Sequence, residues 1–282
     1  MRIGNKNFEF GRHTYIMGIL NVTPDSFSDG GRFNNLEAAV NHAHKMILEG
    51  ADIIDVGGES TRPNYKKISI EEEIRRTSEI IKALKKTFDV PISIDTYKSE
   101  VAQSAIESGA DLVNDIWGLK YDEKMAKVIK KNNVPVCIMH NRKDLFDHES
   151  EEDFILQIKN ELAESISIAK QNFIDQNKII IDPGVGFGKT YQQNLLCIKN
   201  IRVWKELGLP VLLGASRKSV IGIALNLPVH KREEATLAIS TIAAINHCDI
   251  VRVHDVEKNR RAILMAQAIY NNGGENEPDK DC

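Results

Sequence analysis

Short runs rich in Ile, Val and Leu recur along the chain at 15–20, 52–56, 91–94, 112–114, 134–139, 178–181, 210–213 and 250–253. Several are continuous rather than alternating, the pattern of strands buried on both faces of a parallel sheet. Between them, apolar residues recur at helical spacing. Leu36, Ala39, Val40, Ala43, Met46 and Ile47 form one such stripe, and Ile70, Ile74, Ile80, Ile81 and Leu84 another. A longer stretch runs from about 151 to 173, and a last one covers 256–268 with Ile263, Leu264 and Ala266 on its apolar side. Gly50, Gly109 and Gly208 stand where helices should end before the next strand, because glycine tolerates the left-handed C-terminal cap. Eight strand–helix alternations predict an α/β fold, a closed (β/α)8 barrel, although counting alone leaves a doubly wound open sheet available. Residues 2–10 read as a short N-terminal β-hairpin acting as a lid before the first barrel strand. One domain is expected over 1–270, followed by a flexible, polar, Gly-rich tail over 271–282.

Composition narrows the class. The 282 residues are 42% hydrophobic, a normal size for an α/β barrel. Lys plus Arg is 37 and Asp plus Glu is 40, a net charge of −3 that predicts no nucleic-acid or membrane partner. The runs of charge, such as Glu71 to Glu73 with Arg75 and Arg76, mix signs at helical spacing and read as solvated helix faces. Cys137, Cys197, Cys248 and Cys282 form no CxxC pair and are expected reduced. The N-terminus has no apolar signal core, and no apolar run approaches the roughly 18 residues a membrane span needs. A cytoplasmic protein is expected.

In parallel barrels the chemistry lies just past the C-terminal ends of the strands. Here those ends are polar in every case. They carry Asn21, Asp55 to Pro63, Asp95-Thr96, Asn114-Asp115, Met139-His140, Asp182-Pro183, Gly214 to Ser219, and Arg252 to Asp255. Singly, Asp95, Asp182 or Asp255 could be no more than a helix cap or turn former. Capping does not explain Arg, Lys and His at the same rim. Asp95, Asn114 and Asp182 suit a flat heterocycle with amidine-like N–H edges, since a carboxylate accepts two parallel N–H bonds and a carboxamide both donates and accepts. A donor-rich ring would also relieve the repulsion between neighbouring buried carboxylates. Arg252, His254 and the neutral oxygen of Asn21 suit a phosphate group with Mg²⁺. Lys218 and Ser219 open a helix, whose N-terminus favours an anion.

Other motifs fail on spacing. The segment Gly184 to Thr190 resembles a phosphate loop, but Pro183 and Lys189 occupy positions where the phosphate and dinucleotide patterns need glycine. His42 and His44 are two apart on a helix and do not share a face. No His/Cys cluster has zinc spacing. Ser60 and Ser216 lack the flanks of a nucleophile elbow.

Read in order, Asn21 to Gly31 (NVTPDSFSDGG), Asp55 to Pro63 (DVGGESTRP), Ser93 to Lys98 (SIDTYK), Asn114-Asp115-Ile116, Met139-His140, Asp182 to Gly188 (DPGVGFG), Ser216 to Ser219 (SRKS) with Gly222, and Arg252 to Asp255 closely resemble the dihydropteroate synthases. The resemblance spans the first barrel strand to about Ala268. It implies a TIM barrel, a homodimer, and a transferase that displaces diphosphate from (7,8-dihydropterin-6-yl)methyl diphosphate with 4-aminobenzoate. The reaction it implies has SN1 character: diphosphate leaves and the arylamine traps the methylene cation.

Carried over residue by residue, the resemblance gives Asp95, Asn114, Asp182 and Lys218 to the pterin, with Ile116, Met139 and Gly214 in the same substrate pocket. It gives Asn21 to Mg²⁺, and Arg252, His254 and Thr61 to the diphosphate. Phe27 and Asp29 of one loop, with Thr61, Arg62 and Pro63 of another, would close over the site. Phe187, Lys218 and Ser219 would line the aminobenzoate pocket, where sulfonamides compete. Asp29, Arg62, Asp95 and Lys218 would be the catalytic set. Asn64 departs from the glycine more usual after Pro63, and the tail Asn141 to Leu145 after His140 is one of several that this loop carries. A methyltetrahydrofolate corrinoid methyltransferase would share the pterin grip but would not need the two loops and the SRKS site together. A non-catalytic pterin-binding protein would be expected to have lost Asn21, Lys218 or Arg252, and all three are present. An aldolase-like barrel would want a lysine inside a strand, whereas Lys218 starts a helix.

Overall fold

The computed structural model describes residues 1–22, 32–59, 67–143 and 150–270. A two-stranded antiparallel hairpin, β1 (Arg2–Ile3) and β2 (Lys6–Asn7), precedes eight parallel strands. These are β3 (Tyr15–Asn21), β4 (Ile53–Gly57), β5 (Ile92–Asp95), β6 (Leu112–Asp115), β7 (Val136–Met139), β8 (Ile179–Asp182), β9 (Leu212–Leu213) and β10 (Ile250–Val253). They pair in sequence order from β3 to β8, and β10 lies between β3 and β9. A parallel bridge from Ile181 to Val211, the residue before β9, closes the ring. The barrel, rather than the open sheet, is therefore the fold.

Helices cover the outside, beginning with α1 (Arg32–Leu48), α2 (Ile70–Thr87), α3 (Ser99–Glu107), α4 (Met125–Asn132) and α5 (Glu151–Gln171). They continue with α6 (Tyr191–Lys199), α7 (Ile201–Lys205), α8 (Ser219–Leu225), α9 (Glu233–Ile245) and α10 (Val256–Tyr270). The expected terminating glycines have positive φ: Gly50 +96°, Gly109 +112° and Gly208 +72°. On α10, Ile263 and Ala266 are buried as expected, but Leu264 is 51% exposed, because one step along a helix turns a side chain about 100° away from its neighbour's face.

The strands divide their side chains between two cores, as period-two alternation requires. Ile16, Leu20, Ile54, Val56, Ile92, Ile94, Val113, Ile138 and Ile181 point outward and pack with the helices. Met17, Ile53, Leu112, Cys137, Ile180, Leu212 and Ile250 point inward near the strand starts and pack against Ile3 and Phe8. The N-terminal hairpin is thus a floor plug at the N-terminal end of the barrel, not a lid near its polar mouth. Burying Ile3 and Phe8 contributes roughly 3–6 kcal/mol together, at the usual 1.5–3 kcal/mol per side chain. Two residues further along four of the strands, the inward positions turn from apolar to polar. Asp55 follows Ile53, Asn114 follows Leu112, Asp182 follows Ile180, and Arg252 follows Ile250. An apolar floor below a polar mouth is what places charge only at the strands' C-terminal ends.

Candidate active site

Arg252 organises the mouth. Its Nε donates to Asp55 Oδ2 and its Nη2 to Asp95 Oδ2, both at 2.6 Å. Asn114 Nδ2 also donates to Asp55 Oδ2, at 3.2 Å. The two acceptors, Asp55 and Asp95, and the donor Asn114 are all buried. The sequence reading separated a ring-binding arc from an anion-binding arc that held Arg252. The side chains pair otherwise: Arg252 belongs to the carboxylate arc and links β10 to β4 and β5 across the barrel. It does not pair with Asp255, whose Oδ1 instead accepts the Lys258 amide at 3.1 Å, as a helix cap does.

Asp182 Oδ1 accepts the Gly184 amide at 2.7 Å. Its other oxygen lies beside Gly214, where a Cβ would sit 3.6 Å from Asp182 Oδ2, and 3.9 Å from both the Arg252 Cβ and Lys218 Nζ. Gly214 therefore keeps open the point where these three converge. Lys218, at the start of α8, hydrogen-bonds the Val185 carbonyl and holds its ammonium 4.5 Å from the centre of the Phe187 ring. Ile116 and Met139 are buried with Tyr97 in a small cluster that half-buried Phe187 and Trp117 join. Ser219 is exposed. His254 Nδ1 lies 3.0 Å from Ser216 Oγ, joining the ends of the neighbouring strands β9 and β10. Asp115, beside Asn114, turns away from the mouth to accept the Trp117 and Leu119 amides, both at 2.8 Å. Phe27, Asp29, Thr61, Arg62 and Pro63 lie outside the described residues.

Three groups escaped sequence reasoning as site residues. Asp55 is fully buried inside β4 and was read only as part of a motif; its signal was a lone carboxylate at an inward position between Ile53 and Gly57. Lys98 bridges two buried carboxylates, Glu59 Oε2 at 2.8 Å and Glu73 Oε2 at 2.7 Å, and so ties the residue before the 60–66 segment to the end of β5. Lys189, seen only as the residue that spoiled a glycine pattern, is buried against His140.

The Pterin binding enzyme family matches residues 17–254. A Clostridium beijerinckii dihydropteroate synthase is 57% identical over 270 residues, covering 95% of this chain and 99% of its own. One from Bacillus subtilis is 47% identical over 93% of this chain and 90% of its own. A Clostridium difficile dihydropteroate synthase solved with pteroic acid superposes with a TM-score of 0.90 at 50% identity, covering 94% of this chain and 99% of that one. The Xanthomonas albilineans enzyme, solved with 4-aminobenzoic acid, gives 0.87 at 37% identity over 92% and 94% of the two chains. The chain belongs to the dihydropteroate synthase family. It is thereby a transferase of folate synthesis.

The electrostatics suit a dihydropteroate synthase mouth. Three buried carboxylates, Asp55, Asp95 and Asp182, face two cations, Arg252 and Lys218. Burial raises Asp95 to about 7; Arg252 opposes the shift and Asp55 reinforces it. Burial also raises Asp182, against the pull of Lys218. Lys218 is lowered to about 8 by burial, with Asp182 opposing. Asp55 Oδ1, Asp95 Oδ1 and Ser93 Oγ are buried and receive no hydrogen bond from the described residues. A buried acceptor without a donor costs about 1–3 kcal/mol, which a ring carrying N–H groups would recover.

Proposed function

We propose that this chain joins (7,8-dihydropterin-6-yl)methyl diphosphate to 4-aminobenzoate, giving 7,8-dihydropteroate and diphosphate. The observation that carries the reading is the Asp55–Arg252–Asp95 bridge with its two unsatisfied carboxylate oxygens, beside Asn114 and Asp182. A pterin presents a flat face of N–H donors and acceptors to such an arc. Asp95, Asn114 and Asp182 take its donor edge, Lys218 donates to a ring acceptor, and Ile116, Met139 and Gly214 shape the slot. Phe187, Lys218 and Ser219 receive the aminobenzoate. Arg252 uses one Nε and one Nη2 donor on carboxylates, and its remaining N–H groups, with His254 and Thr61, serve the diphosphate. Asp29, Arg62 and Pro63 complete the site from outside the described residues.

The chemistry follows from the charges. The C–O bond to diphosphate breaks and its electron pair leaves with the phosphate. The methylene cation so formed sits near fixed carboxylates, which stabilise developing positive charge in a water-poor site. The arylamine nitrogen then forms the new C–N bond and releases a proton. Its amine is weakly basic and already carries a free lone pair, so no strong base is required.

Mg²⁺ is part of the proposal. Among the described residues no group of three His, Cys, Asp or Glu could hold a metal. Gly57 leaves a gap between Asn21 and Asp95, where a Cβ would lie 3.7 Å from Asn21 Oδ1 and 3.6 Å from the Asp95 Cβ. One neutral oxygen beside such a gap fits a Mg²⁺ held mainly by substrate phosphates and water, with Asn21 as its protein ligand. Bound there, it would neutralise the departing diphosphate.

The decisive assay supplies Mg²⁺, pterin diphosphate and 4-aminobenzoate to the purified protein. Dihydropteroate and diphosphate are expected in equal amounts; no product where a control synthase works would refute the reading. A corrinoid methyltransferase or a pterin-binding protein without catalysis would give that negative result. The pH profile is a second check. At limiting pterin diphosphate, kcat/KM should fall below pH 7 as Asp95 gains a proton, and above pH 8 as Lys218 loses one. A flat profile from pH 6 to 9 would place both groups outside the pterin site.

The homodimer and the cytoplasmic location are also proposals, as is the reading of 1–270 as one domain. No described helix is long and apolar enough to cross a membrane, and Cys137, Cys197 and Cys248 are buried and unpaired. The helices α8 to α10 expose Leu225 (54%), Ile242 (43%), Met265 (61%) and Ile269 (59%), an apolar face that a second copy would cover. Sedimentation should report a dimer, and Met265→Glu should weaken it by about fivefold or more, since an interface anchor is worth over 1 kcal/mol. A wild-type monomer at micromolar concentration would refute the dimer.

A further inference from the structure

The segment after β8 is strung between two ammonium groups. Lys218 takes the Val185 carbonyl from the mouth side. From the other side Lys189 Nζ donates to the carbonyls of Gly184 at 2.9 Å and Phe187 at 3.0 Å, and to His140 Nδ1 at 2.8 Å, with a longer approach of 3.5 Å to the His140 carbonyl. Lys189 is only 9% exposed, and no described carboxylate forms an ion pair with it. An ammonium buried this way is expensive unless its N–H groups are all used, and here they are. Burial nevertheless lowers its pKa to about 8.

The contact fixes a tautomer. An ammonium can only donate, so His140 Nδ1 carries the lone pair and Nε2 carries the hydrogen. That hydrogen faces Glu161 Oε2 at 2.8 Å. Burial, then the Lys189 charge, holds His140 down at about 4, so the ring is neutral. Glu161, on α5, also accepts from Arg142 and from Gln157 at 3.0 Å. Although burial opposes it, the bonds from His140 and Gln157 bring Glu161 down to about 2. A continuous chain of donors, Lys189 to His140 to Glu161, therefore anchors the β8 segment to the end of β7 and to α5. The same two segments touch through backbone. A Cβ at Gly184 (φ +73°) would overlap the His140 carbonyl oxygen, and one at Gly188 (φ +54°) would overlap that of Arg142.

We propose that Lys189 is a positioning residue for the second substrate. By gripping the Gly184 and Phe187 carbonyls from beneath, it sets the height of the Phe187 ring, and through Val185 the reach of Lys218. Those are the two groups between which the aminobenzoate is to bind, so the inference rests on the proposed function. Of the groups proposed for the pterin, Asp95, Asn114 and Arg252 hang on other strands and make no bond to Lys189, and Asp182, at the end of β8, meets it only through Gly184, whose amide Asp182 accepts. A support that matters only for folding would lower stability and leave the two Michaelis constants in proportion. A positioning residue changes one of them.

Steady-state kinetics of the purified wild type, Lys189→Met and Glu161→Gln decide the matter, with circular dichroism checking each fold. Lys189→Met should raise the KM for 4-aminobenzoate at least tenfold and leave that for the pterin diphosphate within threefold. Glu161→Gln keeps an acceptor for His140, so its shift should be in the same direction and about two- to fivefold. An aminobenzoate KM within twofold of wild type in Lys189→Met, or an equal rise in both constants, would overturn the inference. If Lys189→Met does not fold, Glu161→Gln alone decides by the same selectivity. A wild type that makes no product refutes the functional reading itself, an outcome distinct from an active wild type whose variants show no selectivity.

Discussion

Asp95→Asn is expected to lower kcat/KM for the pterin diphosphate by about two to three orders of magnitude. The substitution keeps the shape of the side chain and removes only its charge. It weakens the 2.6 Å bond that Arg252 Nη2 makes to Asp95 and turns one ring-facing acceptor into an amide. A hydrogen bond to a charged group contributes about 1.5–3 kcal/mol. A fixed charge beside a developing ion adds a transition-state share that, in comparable sites, costs about 2.7–4 kcal/mol to remove. The aminobenzoate KM should change by less than threefold, because that substrate is proposed to lie against Phe187 and Lys218 rather than Asp95. A variant within threefold of wild type in kcat/KM would remove Asp95 from the pterin site.

The second large effect is on stability. Arg252→Met should cost about 3–5 kcal/mol at pH 7, the usual result of deleting one partner of a buried ion pair. Asp55 and Asp95 would then face one another without their shared cation. Asp95 already sits above the ordinary carboxylate range through burial, and loss of Arg252, which opposes that shift, raises it further. A carboxylate with a raised folded pKa binds more protons folded than unfolded, so stability falls as pH rises. The variant should therefore recover stability between pH 7 and pH 5, as the carboxylate takes up its proton. Urea unfolding at the two pH values measures this. Equal loss at both would mean that the bridge is not the source of the cost.

Much of the barrel was legible because burial on both faces writes itself as unbroken Ile and Val runs. Seven of the strands lay where those runs predicted, shifted by a residue or two at their ends. The last, β9, is only Leu212–Leu213, because Val211 contributes a bridge rather than a ladder and Pro210 cannot donate. The polar rim was legible for the same reason: Asp95, Asn114, Asp182 and Arg252 interrupt apolar strands. Their pairing was not. Whether Arg252 meets a phosphate or a carboxylate depends on which inward positions share a level, and Asp55, 197 residues away in sequence, supplies the answer. Lys189 was invisible as a site residue for a related cause. Its partners are mainly backbone carbonyls, which carry no sequence signature. Leu264 shows the limit of periodicity at an outer helix, where an apolar residue can turn away from the core.

The position of the bound pterin is the feature on which the proposed site depends most. A crystal structure of this protein with pteroic acid bound measures that directly. The pterin N–H edge is expected within about 3.2 Å of Asp95, Asn114 or Asp182 oxygens, with the benzoate ring beside Phe187 and Lys218. A pterin bound elsewhere, with the Asp55–Arg252–Asp95 bridge untouched, would contradict it.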